Sequence, residues 1–242
     1  MNKAPRLASA VWPELGDAAV TVVVPLGSLE QHGPHLPLDT DARIADAVAS
    51  RAVAALAAEE NADSGDVRLA PVVPYGASGE HEGFPGTVSI GTEALTAVLV
   101  EIGRSACRWA ARLLFVNAHG GNGAAVLKAV SLLRYEGRDV AWFPCALPDA
   151  DAHAGHAETS VLLEIAPDRV RMDRAEPGDT RPIAEVLDAL RASGVAGVSA
   201  NGVLGDPTGA TREAGARALD TLTGHLADAL GRWTVDPSGR LR

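Results

Sequence analysis

"VTVVVPL" (residues 20–26) followed by "GSLEQHGPHLPLDTD" (27–41) is the passage that decides the fold. The first seven residues open with five β-branched ones and are apolar except Thr21, without alternation, which predicts a strand covered on both faces of a parallel sheet. The next fifteen gather Glu30, His32, His35, Asp39 and Asp41, stiffened by Pro34 and Pro37. A buried strand that empties into carboxylates and imidazoles predicts the rim of a site.

The same arrangement recurs downstream. Strands are predicted at 67–74 (VRLAPVVP), 112–117 (RLLFVN) and 139–145 (DVAWFPC), with helical periodicity between them. Ile44, Val48, Ala52 and Leu56 step by four. Leu95, Val98, Ile102, Ala106 and Trp109 step by three or four. "AAVLKAVSLLRYEG" (124–137) ends at Gly137, a plausible helix stop. Strand and helix in alternation predict βαβ units, a parallel sheet and right-handed crossovers, hence an α/β fold. Beyond residue 150, "HAETSVLLEIAP" predicts a short helix ended by Pro167, and "GDTRPIAEVLDALRASG" a helix entered past Pro182. "GVSANGVLGDPTGAT" predicts a loop with one short strand, and a last helix covers about 211–231. No repeat or linker divides the chain, so one domain over 1–242 is expected.

Composition narrows the classes. The chain has 242 residues, 47% hydrophobic, with a formal net charge of −10. The acidic balance and the lack of a Lys/Arg run argue against a nucleic-acid partner. No run approaches the roughly 18 apolar residues of a membrane helix, and the N-terminus lacks a signal-peptide core, so a soluble, cytoplasmic protein is expected. Cys107 and Cys145 have no CxxC partner and are read as two reduced thiols.

The reactive residues follow the strands. Six of the seven histidines lie in 27–41, "YGASGEHEGFPGT" (75–87), "NAHGGNG" (117–123) and "DADAHAGHAETS" (149–160). The carboxyl ends of parallel strands share one rim, where ligands bind. Carboxylates and imidazoles without thiolates suit Zn²⁺, Mn²⁺ or Fe²⁺. Glu30 and His32 point the same way in extended chain, Asp41 returns after the proline loop, and His119 and Glu158 arrive from later strand ends. Each has a plainer reading: Glu158 as a helix-start acid, His119 as a rim histidine, His225 as ordinary surface, and Asp39 and His35 as loop supports. "GGNG" does not match GxGxxG, which removes the dinucleotide reading.

"VPLGSLEQHGPHLPLDTD", "YGASGEHEGFPGT", "NAHGGN", "HAGHAETS" and "GDPTGAT" occur in that order over roughly 20–215, and in this they resemble the motifs of the creatininase family of metal-dependent amidohydrolases. The resemblance implies a three-layer αβα sandwich, two divalent metal ions per chain (Zn, Fe(II) or Mn) and a ring-like homo-oligomer. By motif position it implies Glu30 and His119 on one ion, His32 on the other, Asp41 bridging, and Glu158 as the remaining carboxylate. Some members carry a further carboxylate where this chain has Gly121. His153 matches the family's acid/base histidine, with His156 its competitor one helical turn on, and Ser78, His81 and His156 fall where members contact substrate. Within the family the motifs are most similar to the peptidase branch of mycofactocin maturation. That likeness implies a peptide substrate and release of a C-terminal Val-Tyr dipeptide from a modified precursor. The tryptophans that would stack on a flat lactam are missing near "HAG". A cyclic-amide or formamide amidohydrolase and a non-catalytic metal-binding module are the alternatives.

Overall fold

The computed structural model describes residues 3–16, 19–58, 66–147 and 150–242. Four strands, β1 (Val20–Leu26), β2 (Asp66–Leu69), β3 (Arg112–Asn117) and β4 (Val140–Pro144), form a parallel sheet of order β2-β1-β3-β4. The helices are α1 (Thr40–Leu56), α2 (Gly91–Ala106), α3 (Gly123–Tyr135), α4 (His156–Ile165), α5 (Ile183–Ser193) and α6 (Arg212–Arg232). One face of the sheet supplies Val23, Leu114 and Val116 to a core shared with Val48 and Val53 of α1, Leu162 of α4 and Leu226 of α6. The other supplies Val22, Val24 and Phe115 to a core with Leu99 of α2 and Val130 of α3. Alternate side chains of one strand thus feed opposite layers, giving the three-layer αβα sandwich.

The strand order matters for the site. From β1 the chain crosses to β2 on one side, whereas β3 lies on the other side of β1. The crossover helices therefore lie on opposite faces, and a crevice opens beyond the carboxyl ends of β1 and β3.

Some boundaries differ from the sequence reading. The expected strand 67–74 breaks after Leu69, and Val73 rejoins β1 only as a bridge to Leu26. Pro71 and Pro74 cannot donate to the ladder. The α2 face that packs is Leu95, Leu99, Val100 and Gly103, while Val98 and Trp109 are exposed. Val98 and Leu99 are both apolar, so periodicity alone could not choose the phase that meets α3. The short strand expected in 197–211 is a single antiparallel bridge between Leu204 and His153. No helix among the described residues is long and apolar enough to cross a membrane.

Candidate metal centre

The loop after β1 and the first turn of α1 are held against each other by contact of bare backbone. A Cβ on Gly27 would stand 2.4 Å from Ala42 N and 2.8 Å from Asp41 C. Close approach at that glycine carries Asp41 over Glu30 and His32. Ser28 Oγ donates to Asp41 Oδ2 at 2.6 Å, fixing the carboxylate. Asp39 pairs with Arg43 at 2.7 Å, and buried His35 bonds Thr159 at 2.8 Å, so both support the loop as expected. His225 is exposed on α6.

Glu30, His32, Asp41 and His119 are buried and converge from β1, α1 and β3. His119 Nδ1 lies 3.2 Å from Glu30 Oε2 and 3.2 Å from Asp41 Oδ2. His32 Nε2 lies 3.2 Å from Asp41 Oδ1 and 3.9 Å from Glu158 Oε2. The far nitrogen of each ring is occupied. His32 Nδ1 donates to the Glu30 carbonyl at 3.1 Å, and His119 Nε2 to the Ala77 carbonyl at 3.2 Å. Each bond leaves a lone pair aimed into the cluster, the usual arrangement of a metal-binding histidine. Three donor groups result, with their atoms within 4.8 Å of one another: Glu30–Asp41–His119, His32–Asp41–Glu158 and Glu30–His32–His153.

Asp41 belongs to two of these groups, Glu30 to two and His32 to two. Both Glu30 oxygens are buried with no hydrogen-bond partner among the described residues. A buried carboxylate left so is costly, and a divalent cation satisfies it; oxygen and imidazole donors without thiolate suit that cation. The residues therefore fit the metal ions that the sequence motifs imply.

Electrostatics agree. Burial opposes the His32 imidazolium, but Asp41, Glu158 and Glu30 outweigh it and lift its pKa to about 9. Burial likewise opposes the Asp41 carboxylate, yet His32 and His119 hold it well below the usual range. Burial pushes Glu158 up to about 7. The pocket concentrates negative charge that attracts protons to its imidazoles, and a metal ion would replace those protons.

Glu158 lies in the first turn of α4, as a helix-start acid would, and also within 3.9 Å of His32. Asp151 caps α4, accepting from the backbone amides of His156 and Ala157. Glu158 instead turns back toward His32 and accepts from Ala154 N at 2.6 Å. Ala154, at φ 52, turns the chain in the left-handed region to present that amide.

His153 and His81 complete a cage of imidazoles. Their ring centroids are 4.4 Å apart, and His153 lies 4.4 Å from His32. His153 Nε2 donates to the Gln31 carbonyl at 2.9 Å, so Nδ1 faces Glu30 at 3.7 Å. Burial and the neighbouring His32 hold His153 well below the usual imidazole range, and burial lowers His81 to about 4. Ser78 is buried with no partner for its hydroxyl and does not line the cavity, whereas the adjoining turn Gly79–His81 does. His156 is exposed at the start of α4 and also stays outside the cavity lining.

Two residues escaped the sequence reading. Gln31 donates to His81 Nδ1 at 2.9 Å and to the Gly202 carbonyl at 3.0 Å, tying two loops to the cage. Its place between Glu30 and His32 was the available signal. Glu80 approaches His119 Nε2 at 3.6 Å. A Cβ on Gly121 would meet Glu80 Oε1 at 2.4 Å and His119 Nε2 at 2.5 Å. Glu80 thus brings a carboxylate beside Gly121 and the His119 ring. Nothing in the sequence pairs residues 80 and 121.

A parallel αβα sandwich with buried carboxylates and imidazoles at its switch point, grouped so that they could hold metal ions, is the setting of a hydrolase of known family. The chain belongs to the creatininase family, whose sequence profile, described as creatinine amidohydrolase, matches residues 8–230. It is 55% identical over 235 residues to the mycofactocin precursor peptide peptidase of Mycolicibacterium smegmatis, covering 97% of this chain and 94% of that one. Identity to the protein of the same name from Mycobacterium tuberculosis is 52% over 237 residues, covering 98% and 94%. A solved creatininase described as the Mn form superimposes with a TM-score of 0.77 at 26% identity, covering 96% of this chain and 99% of that chain.

Proposed function

We propose that this chain is a dinuclear metal-dependent peptidase that releases a C-terminal Val-Tyr dipeptide from the modified mycofactocin precursor peptide. The observation that carries the reading is the cavity beside the donor cluster. It measures about 1050 Å³ and runs from Asp41, His119 and Glu158 to the apolar side chains of α5. That is room for the end of a peptide. Among the described residues no tryptophan lines it, so a flat lactam would find no indole to stack on. Relatives at 52–55% identity bear the peptidase name.

In this reading Glu30, Asp41 and His119 would hold one divalent ion, and His32, Asp41 and Glu158 the other. Such ions would supply Lewis acidity for water and for the scissile carbonyl. The protein's own groups do the rest. Ser28, Ala77 and the Glu30 carbonyl orient Asp41, His119 and His32. His153, its Nε2 bonded to Gln31, presents Nδ1 to take a proton from the attacking water and return it to the leaving nitrogen. Gln31, which donates to the Gly202 carbonyl, holds the wall beside it.

The test is product analysis by mass spectrometry on three substrates under identical metal loading: the modified precursor peptide, its C-terminally amidated form, and creatinine. Val-Tyr from the first, little from the second and no turnover of the third are expected. Rapid creatinine turnover without peptide cleavage overturns the reading.

A further inference from the structure

The peptidase reading leaves a charge problem. A substrate cut two residues from its end brings a free carboxylate into a cavity walled by Asp41, Glu80 and Glu158. Arg191 is the one Lys or Arg among the described residues that line it.

Arg191 ends an apolar stripe. Ile183, Leu187 and Leu190 line the same cavity from the same helix, and their spacing of four, three and one residues sets all four side chains on one face of α5. Ile183 and Leu187 remain 47% and 39% exposed. Val186 is the helix's buried residue, and α5 contributes nothing to either main core. The apolar face of α5 is therefore turned to the cavity rather than packed. Among the described residues Arg191 is also uncommitted. The acid near it, Asp188 on the same helix, stands at 3.7 Å with both side chains largely in solvent. Such a pair is worth little.

The reach is right. α5 ends against the turn that carries Glu80 and His81, since a Cβ on Gly194 would stand 2.8 Å from the Glu80 carbonyl. His81 on that turn is 3.3 Å from Glu30. Arg191 is three residues before Gly194, roughly 4.5 Å along the helix axis. Arg191, Glu80 and His81 line one cavity with Asp41, His119 and Glu158, so one bound peptide end can meet both the guanidinium and the donor cluster.

We propose that Arg191 and the Ile183–Leu187–Leu190 face of α5 form a subsite for the free C-terminal end of an apolar or aromatic dipeptide segment. The guanidinium fork grips the α-carboxylate and the aliphatic side chains take the two apolar residues. The proposal rests on the peptidase reading and adds its recognition element. It makes the protein exo-acting: the carboxylate anchor sets the cut two residues from the end.

The experiment titrates the dipeptide Val-Tyr and Val-Tyr amide calorimetrically into wild type, Arg191→Met and Arg191→Lys. Each titration is run metal-loaded and after chelation, which separates the guanidinium from metal as carboxylate partner. Wild type is expected to favour the free acid by about 10- to 100-fold, as a charge-assisted bidentate pair does. The preference should survive chelation, vanish in Arg191→Met and be partly kept in Arg191→Lys, with melting temperatures unchanged because Arg191 is exposed. A preference that persists in Arg191→Met, or no dipeptide binding to wild type, overturns the subsite. If Arg191→Met still cleaves the precursor with unchanged KM, the subsite falls and the peptidase reading stands. If dipeptide discrimination depends on Arg191 but the precursor is not cleaved, the subsite stands and the peptidase reading falls.

Discussion

Gly27→Ala tests the geometry of the centre without touching any donor. Its added Cβ would stand 2.4 Å from Ala42 N, 2.5 Å from Ala42 Cα and 2.8 Å from Asp41 C. Ordinary contact at carbon is about 3.5–4.0 Å, so the first turn of α1 must retreat by about 1 Å. All three atoms are backbone, so no side chain can swing away. Overpacking of this kind costs about 1–3 kcal/mol. At about 2–4 °C per kcal/mol for a chain of this size, the melting temperature should fall by about 2–12 °C. Asp41 moves with that backbone, and a site that needs its donors within about 0.5 Å should lose about tenfold or more in metal affinity. Gly120→Ala is the control, because its Cβ meets nothing within 4 Å although it adjoins His119. The assay is thermal unfolding with and without Zn²⁺ or Mn²⁺, together with metal content after dialysis against a graded chelator. A Gly27→Ala protein that melts within a degree of wild type and keeps its metal refutes the argument that backbone contact at Gly27 sets Asp41.

Asp41→Ala should lose both ions, because Asp41 belongs to two donor groups, whereas Glu158→Gln should lose mainly one; elemental analysis of the two variants decides, and full occupancy in Asp41→Ala would end the bridging assignment. His153→Ala should keep its metal and lose about 10²- to 10⁴-fold in rate; loss of metal in step with rate would make it a ligand instead. Chelation should lower the melting temperature reversibly, since an ion present at about 1,000 times its Kd adds about 4 kcal/mol, and an unchanged melt would show the fold indifferent to metal. Burial lowers His35 to about 4, while an unfolded histidine takes its proton near 6.5. The unfolded state therefore binds more protons between pH 6.5 and 4, and this residue's contribution, complete above 6.5, is lost as pH falls through that window; an NMR titration of the ring with a midpoint near 6.5 would contradict it.

Much of this was written in one dimension. Val20–Leu26 had to be a buried strand because nothing in it tolerates water, and the repeated passage from apolar strand to acid and imidazole announced a parallel sheet with its chemistry at one rim. Glu30 and His32 share a side by the strand period alone. The order of the strands was not legible, because no local rule says that β3 returns beside β1; that pairing opens the crevice and decides that His119 faces Glu30 and Asp41. Nor could sequence show that Glu158, a first-turn acid of α4, also stands 3.9 Å from His32, because that proximity depends on how α4 packs over the loop after β1. Gln31 between two histidine rings, Glu80 beside Gly121, and the α5 face that ends in Arg191 join residues that are remote in the chain. Propensity and period act over a few residues and specify elements; contacts between distant segments depend on how the layers pack, and the reactive geometry of this protein lies in those contacts.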